Sequence, residues 1–95
     1  MEKPDKQVVQ LLQRGNELFK IGDYRAATSA YESIIAATPD FAEAHHNLGA
    51  ALLRMGNADE AAASFCSAIR FQPGLAEAHN HLGVALSRLG RSDEA

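Results

Sequence analysis

Between Ala42 and Met55 apolar and polar positions follow one another with helical spacing. At about 100° per residue, Ala44, Leu48, Ala51, Leu52 and Met55 share one arc. Glu43, His46, Asn47, Ala50, Leu53 and Arg54 occupy the opposite arc, which is richer in polar groups. The first arc is expected to pack. Gly56-Asn57 breaks the period, and a second helix is predicted from about Ala58 to Phe71. A glycine at the break suits a helix C-terminus, where a left-handed residue closes the last turn. Asn57 with Glu60 has capping-box spacing, and Asp23 holds the equivalent place earlier in the chain. Pro39 and Pro73 are expected to stop each second helix, and Asp40 with Glu43 offers a cap for the helix that follows.

This helix–break–helix unit recurs. A shift of 34 residues lays AEAHHNLGAALLRMGNADEA, from Ala42, on AEAHNHLGVALSRLGRSDEA, from Ala76, with most positions identical. A weaker copy begins at Val8. Gly15, Gly49 and Gly83 form one column, Gly22, Gly56 and Gly90 a second, and Ala27, Ala61 and Ala95 a third. Tyr31 aligns with Phe65, and Pro39 with Pro73. The inner glycine of each first helix costs about 1 kcal/mol of helix propensity, and its expected return is close approach of the neighbouring helix. The chain therefore divides into a lead-in at 1–7, repeats at 8–41 and 42–75, and a third unit at 76–95. That third unit holds a first helix and only the start of a second.

The columns Leu48-Gly49, Gly56, Ala61, Phe65, Ala68 and Pro73, at this spacing, resemble the tetratricopeptide repeat signature. The first repeat keeps Gly15, Gly22, Tyr24, Ala27, Tyr31 and Pro39 but has Arg14 where a leucine is usual. The wording AEAHHNLG and AEAHNHLG is also similar to the repeats of protein O-linked N-acetylglucosamine transferases and their bacterial relatives. The resemblance implies an all-α fold, a right-handed α-solenoid of antiparallel helix pairs whose third repeat is incomplete. It also implies a concave groove lined by each repeat's first helix and a partner that is a protein or peptide. The groove face would carry Leu12, Asn16, Phe19 and Lys20 from the first repeat. From the second come Glu43, His46, Asn47, Leu53 and Arg54, and from the third Asn80, His81, Val84 and Arg88. Phe19 and Leu53 are the candidate apolar anchors. Lys20, Arg54 and Arg88 form a basic column that either favours an acidic peptide or merely complements helix dipoles.

Some members of the family grip the C-terminal carboxylate of heat-shock chaperones with two asparagines and three basic residues. The matching places here are Leu12, Asn16, Asn47, Glu77 and His81, so both asparagines are present and every Lys and Arg is missing. A chaperone-tail receptor of that kind is not expected. The column Gln13, Asn47, His81 stands where the transferase repeats carry a backbone-gripping asparagine ladder; all three side chains can hydrogen-bond, but the ladder is not uniform.

Composition narrows the remaining classes. Hydrophobic residues make up 46% of the 95 residues, much of it alanine, and a net charge of -3 gives no reason to expect nucleic acid or an anionic membrane. Cys66 is the sole cysteine, and no apolar stretch approaches a transmembrane span, so a cytoplasmic location is expected. His46 and His81 face the groove, and His45 and His79 the inner side. Two converging histidines fall short of a zinc site, and no nucleophile–base pair or phosphate loop is discernible, so neither cofactor nor catalysis is expected.

The third unit stops about four residues into its second helix. Leu82, Leu86 and Leu89 then lack the helix they are built to meet, and burying them is worth roughly 4–9 kcal/mol. Either the chain is the N-terminal part of a longer protein, or this end pairs with another copy as a homodimer. The leading functional expectation is a scaffold that takes a partner peptide or helix into its groove. The alternatives are a substrate-selecting arm of a larger glycosyltransferase or methyltransferase, and a self-assembling scaffold.

Overall fold

The computed structural model describes residues 6–94, with side chains from Lys6 to Gly90. It contains five helices: α1 Lys6–Lys20, α2 Tyr24–Ala37, α3 Ala42–Arg54, α4 Ala58–Phe71 and α5 Ala76–Glu94. No strand occurs among the described residues. Each helix packs on the next, and α1 meets α3 as α3 meets α5. The result is an α-solenoid of antiparallel pairs, 46 × 29 × 19 Å in extent.

The hairpins turn where the glycines stand. Gly22 and Gly56 adopt φ of 86° and 88°, a region that costs a side-chain-bearing residue but not glycine. The Gly22 amide donates to Phe19 O and the Asp23 amide to Leu18 O, and Gly56 and Asn57 repeat the pattern onto Leu53 and Leu52. These paired bonds satisfy carbonyls left over at the helix end. Asp23 Oδ1 then caps α2 by accepting from the Ala26 amide at 3.3 Å.

Two expected caps are not formed. Asn57 makes no side-chain cap to α4, because Asp59 accepts from the Glu60 amide instead. The N-cap of α3 is Phe41, not Asp40, and it too lacks a side-chain bond. The ends are instead steadied by histidine: His45 Nε2–H donates to Pro39 O at 2.7 Å, and His79 Nε2–H to Pro73 O at 2.8 Å. Met55, placed on the packing arc by the periodicity, is 38% exposed at the helix end.

Two further boundaries differ from the expectation. Lys6 and Gln7, assigned to the lead-in, already belong to α1, while Met1 to Asp5 lie outside the described residues. Gly90 does not repeat the turn of Gly22 and Gly56, and α5 runs on to Glu94. In the first two repeats the turn is held by a second helix folding back. Gly90 does not take the left-handed conformation that ends α1 and α3, so the helical bonding runs on through it. Ala95 lies outside the described residues.

Two core clusters follow the repeat. The first gathers Val8, Ala27, Tyr31, Ile34, Ala44, Leu48 and Ala51. The second gathers Leu53, Ala61, Ala62, Phe65 and Ala85. The inner glycines let one aromatic ring per repeat reach the facing helix. A Cβ on Gly15 would meet Tyr31 Cε1 at 2.6 Å, and one on Gly49 would meet Phe65 Cε1 at the same distance. Nothing stands within 4 Å of the corresponding point on Gly83.

Candidate functional site

The first helices α1, α3 and α5 line up side by side, and their shared face forms a concavity of about 590 Å³. Asn16, Phe19 and Lys20 enter it from α1, Glu43, His46, Asn47, Leu53 and Arg54 from α3, and His81 from α5. Nine of the thirteen groove positions expected from the sequence therefore converge. Ala50 and Glu77, which share the same arcs, line it too.

Four expected positions stand elsewhere. Leu12 is half-buried against the first core cluster and is absent from the lining of the concavity. Asn80, Val84 and Arg88 are exposed on α5 and lie outside the lining. Arg88 donates from Nη1 to Leu53 O at 3.2 Å, so one of its hydrogen bonds serves the neighbouring helix end.

The apolar anchors are less open than expected. Leu53 is only 7% exposed and belongs to the second core cluster. Phe19 is half-buried, edge-on to Tyr24 at 5.2 Å, and the Arg54 guanidinium sits 5.7 Å over its ring. Leu82 and Leu89, expected at a self-association face, pack partly on the second cluster, whereas Leu86 is 52% exposed.

The groove floor is polar and internally bonded. Tyr31 OH donates to Asn16 Oδ1 at 2.7 Å, and Asn47 Nδ2 donates to the same oxygen at 3.1 Å. His46 Nδ1 is 3.2 Å from Asn47 Oδ1, and His46 Nε2 is 3.0 Å from His81 Nδ1. His81 stacks on Phe65 with ring centroids 5.5 Å apart. Burial, and then the neighbouring His81, lower the His46 pKa below the ordinary imidazole value. Burial, reinforced by the Glu43 carboxylate, pushes the Tyr31 phenol up to about 12.

Three lining residues were not expected there. Tyr31 belongs to α2, a second helix, whereas the groove face is expected from the first helices. The pairing of Tyr31 with Gly15 was the available signal, since a ring passing over a glycine carries its hydroxyl through to the far side of α1. Gln72 and Leu75 come from the α4–α5 connection, where helical periodicity gives no guidance. Among the described residues no group of three or more His, Cys, Asp or Glu stands within metal-binding reach, and Cys66 is exposed on α4.

The tetratricopeptide repeat pattern matches residues 12–76, and the chain belongs to that family. Solved structures share its architecture. The second repeat domain of Spaghetti (RPAP3), bound to the HSP90 peptide SRMEEVD, is 30% identical, with 94% of this chain and 82% of that one covered and a TM-score of 0.87. The second repeat domain of human RPAP3, in complex with the HSP70 peptide SGPTIEEVD, is 30% identical over 97% of this chain and 77% of that one, with a TM-score of 0.88. MamA is 29% identical over 92% of this chain and 51% of its own, with a TM-score of 0.84. No curated protein matches at a significant level. No helix among the described residues is long and apolar enough to cross a membrane.

Proposed function

We propose that this chain is a protein-interaction module that takes an extended segment of a partner polypeptide into the groove formed by α1, α3 and α5, without catalysis of its own. The observation that carries this reading is the floor itself. Asn16, Asn47, His46 and His81 place amide and imidazole groups in one hydrogen-bonded line across three helices. Such groups suit the alternating carbonyls and amides of an extended main chain, which every peptide offers whatever its side chains. The two RPAP3 domains hold peptides, which supports the same use of the fold here.

The test is capture of immobilised peptides by the labelled chain. Asn47→Ala and Asn16→Ala should each weaken capture while circular dichroism stays helical. Unchanged capture in both variants would place the binding site elsewhere. Leu53→Ala is not a useful probe, since this residue is core and its loss acts on stability.

A further inference from the structure

The line of hydrogen bonds along the floor has a direction. Every middle member has a donor end and an acceptor end, so turning one over forces the next to turn. The Tyr31 hydroxyl fixes which way the line runs. Tyr31 as a whole residue is 1% exposed, and Asn16 is the hydrogen-bond partner of its hydroxyl. With its pKa pushed up to about 12 the phenol keeps its proton, and a buried O–H without an acceptor costs about 1–3 kcal/mol. Asn16 must therefore turn its oxygen toward Tyr31.

The rest follows by elimination. Asn16 Oδ1 also receives Asn47 Nδ2, so Asn47 Oδ1 faces His46 and needs a donor there. His46 supplies Nδ1–H, and because burial keeps this ring neutral its Nε2 is a bare acceptor. His81 must then donate from Nδ1, and in a ring carrying a single N–H this leaves the lone pair on Nε2. The two ends of the line are unlike: Asn16 Nδ2 offers N–H donors at α1, and His81 Nε2 offers an acceptor at α5. Among the described residues neither atom has a partner within the chain. The carboxylates of Glu43 and Glu77, in the first turns of α3 and α5, act on His46, while Lys20 and Arg54 stand at the C-terminal ends of α1 and α3.

We propose that the groove selects an internal stretch of polypeptide over a chain terminus, with Asn16 donating to a partner carbonyl, His81 accepting a partner amide, and His81 the specificity-determining residue. This deepens the peptide-binding reading above and rests on it. An internal main chain carries both groups. A terminal carboxylate offers only acceptor oxygens, which would meet the His81 lone pair and the charge of Glu77. The hydrogen bonds of the line keep its two ends within about 18 Å, the reach of about five or six extended residues. His46 and Tyr31 act through their neighbours and are positioning residues.

Two measurements on the full chain test the proposal. Long-range nitrogen–proton spectra of the imidazoles at pH 7.5 should show His46 and His81 both protonated at Nδ1. An Nε2–H tautomer at His46 overturns the direction of the line. In parallel, an array of random-sequence hexamers and longer peptides, each made as a free C-terminal acid and as the amide, is probed at pH 7.5. Captured sequences should bind as the amide at least as tightly as the acid. His81→Arg should shift that ratio about tenfold toward the acid, the worth of one charge-assisted hydrogen bond. Peptides that require the free acid in the parent chain overturn this inference but leave the peptide-binding reading intact. An array that captures nothing overturns both.

Discussion

Gly49→Ala and Gly83→Ala occupy the same column of the repeat and should change stability in opposite directions. In a free helix either substitution gains about 1 kcal/mol. At position 49 the new methyl would lie 2.6, 2.8 and 2.9 Å from three atoms of the Phe65 ring, against an ordinary carbon contact of about 3.5–4.0 Å. The ring is fully buried, so it has no open side to move into, and α3 and α4 must part by about 1 Å. Overpacking of this kind costs roughly 1–3 kcal/mol, and a broadside contact with a fixed ring belongs at the upper end. The net expectation is a loss of about 1–2 kcal/mol. At position 83 no atom stands within 4 Å, so Gly83→Ala should gain about 0.5–1 kcal/mol. The assay is urea and thermal unfolding followed by circular dichroism, where 1 kcal/mol shifts Tm by about 4–8 °C in a domain of this size. Adding Phe65→Leu to Gly49→Ala should recover part of the loss, giving a favourable coupling in the double-mutant cycle. Gly49→Ala unfolding at or above the parent Tm would refute the argument that the glycine exists for the ring.

The other predictions are direct. The lowered His46 pKa means the folded state binds fewer protons than the unfolded chain below about pH 6.5, so stability should fall as pH drops from 7.5 toward 5. His46→Gln should flatten that slope in pH-dependent melts, and an unchanged slope would remove His46 as its source. The raised Tyr31 pKa acts at the other extreme: above pH 10 the unfolded chain loses a proton that the fold retains, so stability should decline there and Tyr31→Phe should decline less. Asp23→Ala should cost about 0.5–2 kcal/mol through its lost cap, whereas Asn57→Ala should stay within about 0.5 kcal/mol, both read from denaturant midpoints.

The sequence by itself determined the repeat, the helix type and the turn sites. These depend on local and periodic properties: alanine-rich helical spacing, glycines that take positive φ at 22 and 56, and prolines that end α2 and α4. It also placed nine of the groove positions, because the face of a helix follows from 100° per residue once the inner arc is known. Tertiary structure decided the rest. Whether Leu53 is an anchor or core depends on how α5 lies over α3, and no period within one helix carries that information. Gly90 shares its column with Gly22 and Gly56 yet stays within α5, because a glycine permits a left-handed turn without imposing one. The line from Tyr31 to His81 joins residues 15, 31 and 35 positions apart, and only Asn47 and His81 among its members share a column of the repeat. Only the packing of α1, α2, α3 and α5 brings these residues to hydrogen-bond distance, and the partner of one phenol gives the line its direction.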